Sequence, residues 1–258
     1  MTGNDDTKSR SERTDGTDIA VEASGVAKTY DSWVPFSNSV EVLEDATLEV
    51  ERGEIVGIMG ENGSGKSTQI KLLRRRLDEL RVPVHVFREP GGTELSEQVR
   101  EILLDADYDI HPATELLLFS SARSQLMAEE VKPRLEKGEV VILDRFYDST
   151  TAYQGYGRRS IPLEQIHMLN AIASHGLTPE LTFYMHITLE ESHKRIHKQR
   201  KDRMERSGDA FFRRVIKGFD RLAQNEARFI TLDAQEGREK VHEKIWSEVK
   251  SRLADNVG

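Results

Sequence analysis

The run "EIVGIMGENGSGKST", residues 54–68, restricts the fold more than any other part of the chain. A nearly continuous apolar segment enters a glycine-rich turn, and an amphipathic segment leaves it. The turn, "GENGSGKS" at 60–67, matches G-x-x-x-x-G-K-[ST]. Glycines at these positions let successive backbone N–H groups turn inward around phosphate oxygens. Lys66 is placed to reach the β and γ phosphates of a nucleotide, and Ser67 to put its hydroxyl on Mg²⁺. A helix starting near Lys66 points its positive end at the same anion. Such a turn needs a buried strand before it and a helix after it, and the sequence provides both. A nucleotide is the expected ligand, held by Gly60, Asn62, Gly63, Ser64, Gly65, Lys66, Ser67 and Thr68.

Apolar and amphipathic runs alternate from there onward. Strands are expected over 84–87, 140–143, 181–186 and 229–232, and helices over 66–80, 94–104, 112–136, 163–175, 190–198, 209–225 and 237–253. Counting the strand before the turn, the alternation implies a parallel five-stranded sheet between helices, an α/β fold. "VVILD" at 140–144 brings Asp144 to the end of a core strand, where it can hold Mg²⁺ directly or through water. An Asp there can equally cap a helix. Residues 19–53 hold short alternating apolar runs broken by Ser, Asn and Gly, as antiparallel strands do. Residues 1–18 contain one apolar side chain, Met1, too little burial to offset the entropy of ordering. Three parts are expected: a disordered tail over 1–18, a small antiparallel β appendage over 19–53 and a phosphate-loop domain over 54–258.

No cysteine occurs, which rules out disulfides, thiolate metal sites and cysteine nucleophiles. A net charge of −8 argues against sequence-independent nucleic-acid binding, which relies on basic surface, and is compatible with a local basic cleft. The longest apolar runs are far too short to span a bilayer, and the N-terminus has no signal-peptide core. A cytoplasmic protein with small-molecule partners, and with neither nucleic acid nor membrane as partner, is expected.

Two families are resembled on the two sides of the turn. Residues 19–68, with "GVAKTY" and "VLEDATLEVERGEIVGIMGENGSGKST", resemble the opening of ABC-type ATPases, in which an aromatic at the position of Tyr30 stacks on adenine. That resemblance stops at residue 68: no LSGGQ-like string follows, and Arg145 stands after Asp144 where that family has Glu. Residues 55–253 resemble thymidylate kinases, which phosphorylate dTMP to dTDP. The matching pieces are "GSGKSTQIKLL", "REPGGTELSEQVREILL", "TELLLFSSARSQ", "VKPRLEKGEVVILDRFYDSTTAYQGYGR", "LTPELTFYMHI", "KDRMERSG" and "LDA" with "VHEKIW", in that order. The resemblance implies a nucleoside-monophosphate-kinase-like core, ATP and Mg²⁺, dTMP as acceptor and a homodimer.

It also implies roles for residues. Arg145 binds the acceptor phosphate, and Arg88, Glu89 and Pro90 lie in a loop against that phosphate. Phe119 and Arg123 are four apart and share a helix face; Phe119 packs on thymine and Arg123 hydrogen-bonds the base edge. On residue type alone Phe119 reads as core. Ser149 or Thr150 contacts the base edge, Gln154 continues the base site, and Tyr153 lies under the sugar and excludes a 2′-hydroxyl. The basic run "KRIHKQRKDRMER", 194–206, is by itself a solvated helix face; by resemblance it is a lid over ATP. In that family the catalytic Arg lies in the phosphate loop or in the lid. Glu61, Asn62, Gly63 and Ser64 supply no cation, so the role falls to the lid, to Arg200 first and Arg203 second. With Lys66 and Arg145 these are the expected catalytic cations. Glu205 lies near the metal, with Ser67 and Asp144, or near the acceptor; Arg158 adds charge beside the site, and Arg159 belongs to the surface.

Three departures stand out. Asn62 replaces the Asp or Glu usual in thymidylate kinases, Phe146 replaces a Tyr, and residues 19–53 are extra. Alternatives stay open: a kinase of the same fold acting on dUMP or another pyrimidine monophosphate, an ABC-type ATPase module, or a binding protein with a decayed kinase site.

Overall fold

The computed structural model describes residues 19–30, 40–51, 53–196 and 203–255, with side chains described over 53–195, 203–204 and 206–251. The tail expected over 1–18, the side chain of Tyr30 and Arg200 lie outside the described residues. The domain that carries the phosphate loop begins with β1 (Ile55–Gly60), buried at every position. It continues through α1 (Lys66–Glu79), β2 (Val84–Arg88), α2 (Glu94–Leu104) and α3 (Pro112–Leu126). Then come β3 (Val140–Asp144), α4 (Tyr147–Thr150), α5 (Leu163–Ala173) and β4 (Leu181–His186). It closes with α6 (Leu189–Ile196), α7 (Asp209–Asn225), β5 (Phe229–Asp233) and α8 (Arg238–Asp255).

The five strands pair in parallel in the order β2-β3-β1-β4-β5. β1 is central, which is why it reads as a continuous apolar run. Val56 and Ile58 pack with Leu73 of α1 and Ile245 of α8 on one face. Ile55 and Met59 pack with Leu126 of α3 and Val215 and Phe219 of α7 on the other. Chain connections leave β1 and β3 in opposite directions across the sheet, so a crevice opens at their carboxyl ends, where ligands bind in open α/β sheets.

Two stretches differ from the periodicity. The helix expected over 112–136 contains a π-helical turn at Met127–Val131 before its last turn, Lys132–Leu135. Residues 147–158 gave no helical signal, yet α4 runs on into a π-helical stretch, Thr151–Arg158. Its glycines weaken the local pattern but are required by packing. A Cβ on Gly155 would lie 2.6 Å from Leu163 Cδ2, and one on Gly157 2.6 Å from Phe211 Cε2.

Candidate active site

The phosphate loop leaves β1 with backbone that only glycine adopts easily. Gly60, Gly63 and Gly65 have φ of +139°, +78° and +94°. A Cβ on Gly60 would also lie 2.5 Å from the Met185 carbonyl. The loop is braced from α6: Ser192 Oγ donates to Asn62 O at 2.9 Å, and Arg195 Nη1 donates to Gly63 O at 3.3 Å and Ala234 O at 3.0 Å. Lys66 is buried, its Nζ donating to Gly60 O and Glu61 O at 3.0 Å each. Burial, and then Arg145, push its ammonium down to about 7, a group that nearby phosphate oxygens would recharge.

Ser67 Oγ lies 3.5 Å from Asp144 Oδ2, and Asp144 Oδ1 is buried without a hydrogen-bond partner. Two hard oxygens on adjoining elements, one of them unsatisfied, fit a divalent cation that keeps water and phosphate as its other ligands.

Arg145 follows β3 directly and has φ of +73°, held by its N–H donating to Ile58 O at 3.1 Å. A non-glycine residue in this region is strained and is tolerated where surrounding structure fixes it. Its Nη2 donates to Asn62 Oδ1 at 2.8 Å, and its guanidinium lies 5.3 Å from the centre of the Tyr153 ring.

Beside Arg145 opens a cleft with about 140 Å³ of water-accessible space. Phe119, Phe146, Tyr153 and Met204 supply apolar wall; Arg123, Gln154, Ser149 and Thr150 supply polar groups. Arg123 is fixed by three buried partners. Its Nε donates to Glu89 Oε2 at 2.8 Å, Nη2 to Thr150 Oγ1 at 2.8 Å and Nη1 to Asn170 Oδ1 at 3.3 Å. Glu89 Oε1 and Ser149 Oγ are buried without partners.

The geometry therefore gathers Lys66, Ser67, Asp144, Arg145, Glu89, Pro90, Phe119, Arg123, Ser149, Thr150, Tyr153 and Gln154 around one crevice. Two expected residues are not brought there. Arg88 is 56% exposed and pairs with Glu97 at 3.1 Å, while Glu97 Oε1 accepts the Gly92 N–H at 3.0 Å. It staples its own loop instead of facing the cleft. Arg203 Nη2 pairs with Glu115 Oε2 at 2.6 Å and its Nε donates to Leu103 O at 2.9 Å, anchoring the chain at the cleft's far wall. The Glu205 side chain lies outside the described residues. Arg100, Asn170 and Glu115 were not anticipated; Arg100 lines the cleft and donates to Pro90 O at 2.9 Å.

The thymidylate kinase family model matches residues 58–245. The thymidylate kinase of Thermoanaerobacter sp. (strain X514) is 41% identical over 203 residues, 78% of this chain and 100% of its own length. That of Prosthecochloris aestuarii is 43% identical over 204 residues, 75% of this chain and 91% of its own. The crystal structure of thymidylate kinase from Ehrlichia chaffeensis matches with a TM-score of 0.63 at 31% identity, covering 77% of this chain and 99% of that one. The chain belongs to the thymidylate kinase family. Its members are nucleoside monophosphate kinases, and the sheet order and phosphate loop described above are those of such a phosphotransferase.

Against that family the departure at Asn62 takes a concrete form. Its neutral Oδ1 holds Arg145 by a hydrogen bond rather than an ion pair, so this partner orients the guanidinium without cancelling its charge. The carboxylate next to it is Glu61, which is 2% exposed; its Oε2 accepts from Tyr153 OH at 3.4 Å, and Oε1 has no partner. Burial pushes Glu61 up to about 7 against the pull of Arg145 and Lys66. Phe146 is fully buried, with the Arg123 guanidinium 5.6 Å from its ring centre. A hydroxyl on that ring would need a buried partner.

Proposed function

We propose that the chain transfers the γ-phosphoryl group of ATP to dTMP, giving dTDP and ADP, with Mg²⁺. The observation that carries this reading is the meeting of the phosphate loop with Asp144, Arg145 and the Arg123–Phe119 cleft at the carboxyl ends of β1 and β3. The transferring group carries negative charge, and so does its acceptor; catalysis asks for cations that hold the two in line. Residues 60–68 cradle the polyphosphate, and Lys66 supplies charge at its end. Arg145, oriented by Asn62, takes the acceptor phosphate. Phe119 packs on the base, Arg123 and Thr150 read its edge with Ser149 and Gln154 beside them, and Tyr153 fills the space a 2′-hydroxyl would need. Ser67 and Asp144, with Glu205, would hold Mg²⁺, which neutralises charge on the phosphates. Arg200 is the lid cation assigned to the transferring group. Arg203 and Arg88 act in anchoring.

An acceptor panel with ATP and Mg²⁺ tests the proposal. dTDP as the dominant product is expected; a clear preference for dUMP or another monophosphate favours the second reading, which Asn62 motivates. An ABC-type ATPase module is disfavoured because the family match begins at residue 58 and spans every element of the site. For residues 19–53 the antiparallel pairing of Ile19–Tyr30 with Val40–Glu51 supports a β appendage like the opening of ABC-type ATPases. No described helix is long and apolar enough to cross a membrane. Leu117 of α3 and Met168 and Ile172 of α5 are large, apolar and more than half exposed, which supports a homodimer. Sedimentation of the purified protein checks it.

A further inference from the structure

Glu115, in the first turn of α3, has 0% exposure, and nothing in phosphoryl transfer itself requires a carboxylate there. Its oxygens accept from three side chains. Oε1 takes Gln154 Nε2 at 2.9 Å and Arg158 Nε at 3.1 Å. Oε2 takes Arg158 Nη2 at 3.0 Å and Arg203 Nη2 at 2.6 Å. Burial raises its pKa, but the hydrogen bonds from Arg158 and Gln154 and the charges of Arg158 and Arg203 leave it below the ordinary carboxylate value. The group is ionised, and an ionised carboxylate only accepts hydrogen bonds.

That restriction passes to Gln154, which lines the acceptor cleft. Its amide must turn the nitrogen to Glu115, so the amide oxygen is the group left for a base. The same carboxylate fixes the opposite wall. Arg158 Nη1 donates to Ser207 Oγ at 3.2 Å and Arg203 Nε to Leu103 O at 2.9 Å, so the segment carrying Met204 is held against the cleft.

We propose that Glu115 is a positioning residue for acceptor selectivity. By fixing the Gln154 amide with its oxygen toward the cleft, it favours a pyrimidine that presents a ring N–H there and disfavours one that presents a lone pair. Thymine and uracil carry hydrogen on N3; cytosine carries a lone pair. A site built around one hydrogen-bond polarity leaves a buried group unpaired when the wrong base enters, and discriminates strongly for that reason. The inference rests on the reading of this cleft as the acceptor site.

The test compares kcat/KM for dTMP and dCMP in the wild type and in Glu115→Gln. A carboxamide at 115 donates as well as accepts, so the Gln154 amide loses its fixed orientation. The ratio of dTMP to dCMP is expected to fall about tenfold or more, through a rise in KM for dTMP with kcat nearly unchanged, as when one buried hydrogen bond is lost. KM for ATP should stay within about twofold, since the change is confined to acceptor binding. Equal slowing of both acceptors, with the ratio intact, would mean that Glu115 only holds the fold together and would overturn the proposal. If Glu115→Gln does not fold, Gln154→Met decides, because it deletes the amide and leaves the arginines of Glu115 in place. Loss of the ratio is expected there too, and an intact ratio overturns the proposal. A wild type that makes no dTDP breaks the acceptor assignment itself, whatever the variants do.

Discussion

The phosphate loop and the cleft proposed to take the acceptor meet where Asn62 accepts from Arg145, yet they are built in opposite ways. The loop is one contiguous stretch whose ligand-facing groups are backbone amides, set by three positive-φ glycines and the end of β1. The cleft draws side chains from α2, α3, the turn after β3, the π-helical stretch and the segment at 203–204. Arg123 in its wall is held by buried Glu89, and Arg158 and Arg203 behind it by buried Glu115. A backbone site needs little desolvated charge beyond Lys66. A side-chain site with rigid cations must bury their counter-charges too, and a buried pair is costly to break from one side. Activity at the loop should therefore separate cleanly from stability, whereas at the cleft the two should fall together.

Lys66→Ala tests the first half with the largest expected effect. It removes the loop's own cation, and turnover should fall about 10³-fold or more, the scale of losing a principal charge-stabilising group. The midpoint of denaturant unfolding should not drop, since the ammonium is already disfavoured by burial. A marked loss of stability would erase the contrast. Arg123→Ala tests the second half. It strands Glu89, whose side chain is 4% exposed, and should cost about 3–5 kcal/mol in unfolding free energy while raising KM for dTMP. Adding Glu89→Gln should recover part of the stability but not the KM, because the neutral amide no longer needs the cation and the base still does.

The same contrast explains what could be read from the chain. β1, the glycines and Lys66 were legible because spacing along a single stretch dictates their geometry. All five strands fell where apolar runs predicted, the fourth at 181–186 to the residue. Residues 147–158 were not legible as helix: Gly155 and Gly157 look like turn formers, and the reason for them is the approach of Leu163 and Phe211. Arg88 is expected at the acceptor phosphate, but its choice between the cleft and Glu97 is made nine residues away. Glu115 did leave a trace. It stands four residues before Phe119 and eight before Arg123, on the same helix face. Asn170 left none, since its partner Arg123 is 47 positions away.

Glu61 sits where the two regions touch, and its titration sharpens the boundary between them. Its pKa, raised by burial from 4.5 to about 7, means the native carboxyl keeps a proton that the unfolded chain has released. The stability this contributes is complete below pH ~4.5 and is lost as pH rises through about 7, a span worth about 3 kcal/mol at 1.36 kcal/mol per unit. Glu61→Gln should remove that slope, so the variant gains stability relative to wild type between pH 5 and 8 in thermal unfolding. A parallel pair of curves would mean that Arg145 and Lys66 keep the carboxyl ionised throughout.

Arg88→Ala should do least. The residue belongs to the acceptor loop by position but to the surface by exposure, with both partners of its ion pair roughly half exposed at 56% and 42%. Exposed pairs contribute about 0–1 kcal/mol. The remaining tie, Glu97 to the Gly92 N–H, is independent of the arginine. Unfolding free energy should thus change by less than about 1 kcal/mol, and KM for dTMP by less than about twofold, since no contact to the cleft is lost. Steady-state kinetics at low and high salt check this: a tenfold rise in KM at low salt that high salt diminishes would place Arg88 on the acceptor phosphate during turnover. It would also show that the cleft recruits a mobile surface cation in addition to those buried pairs hold in place.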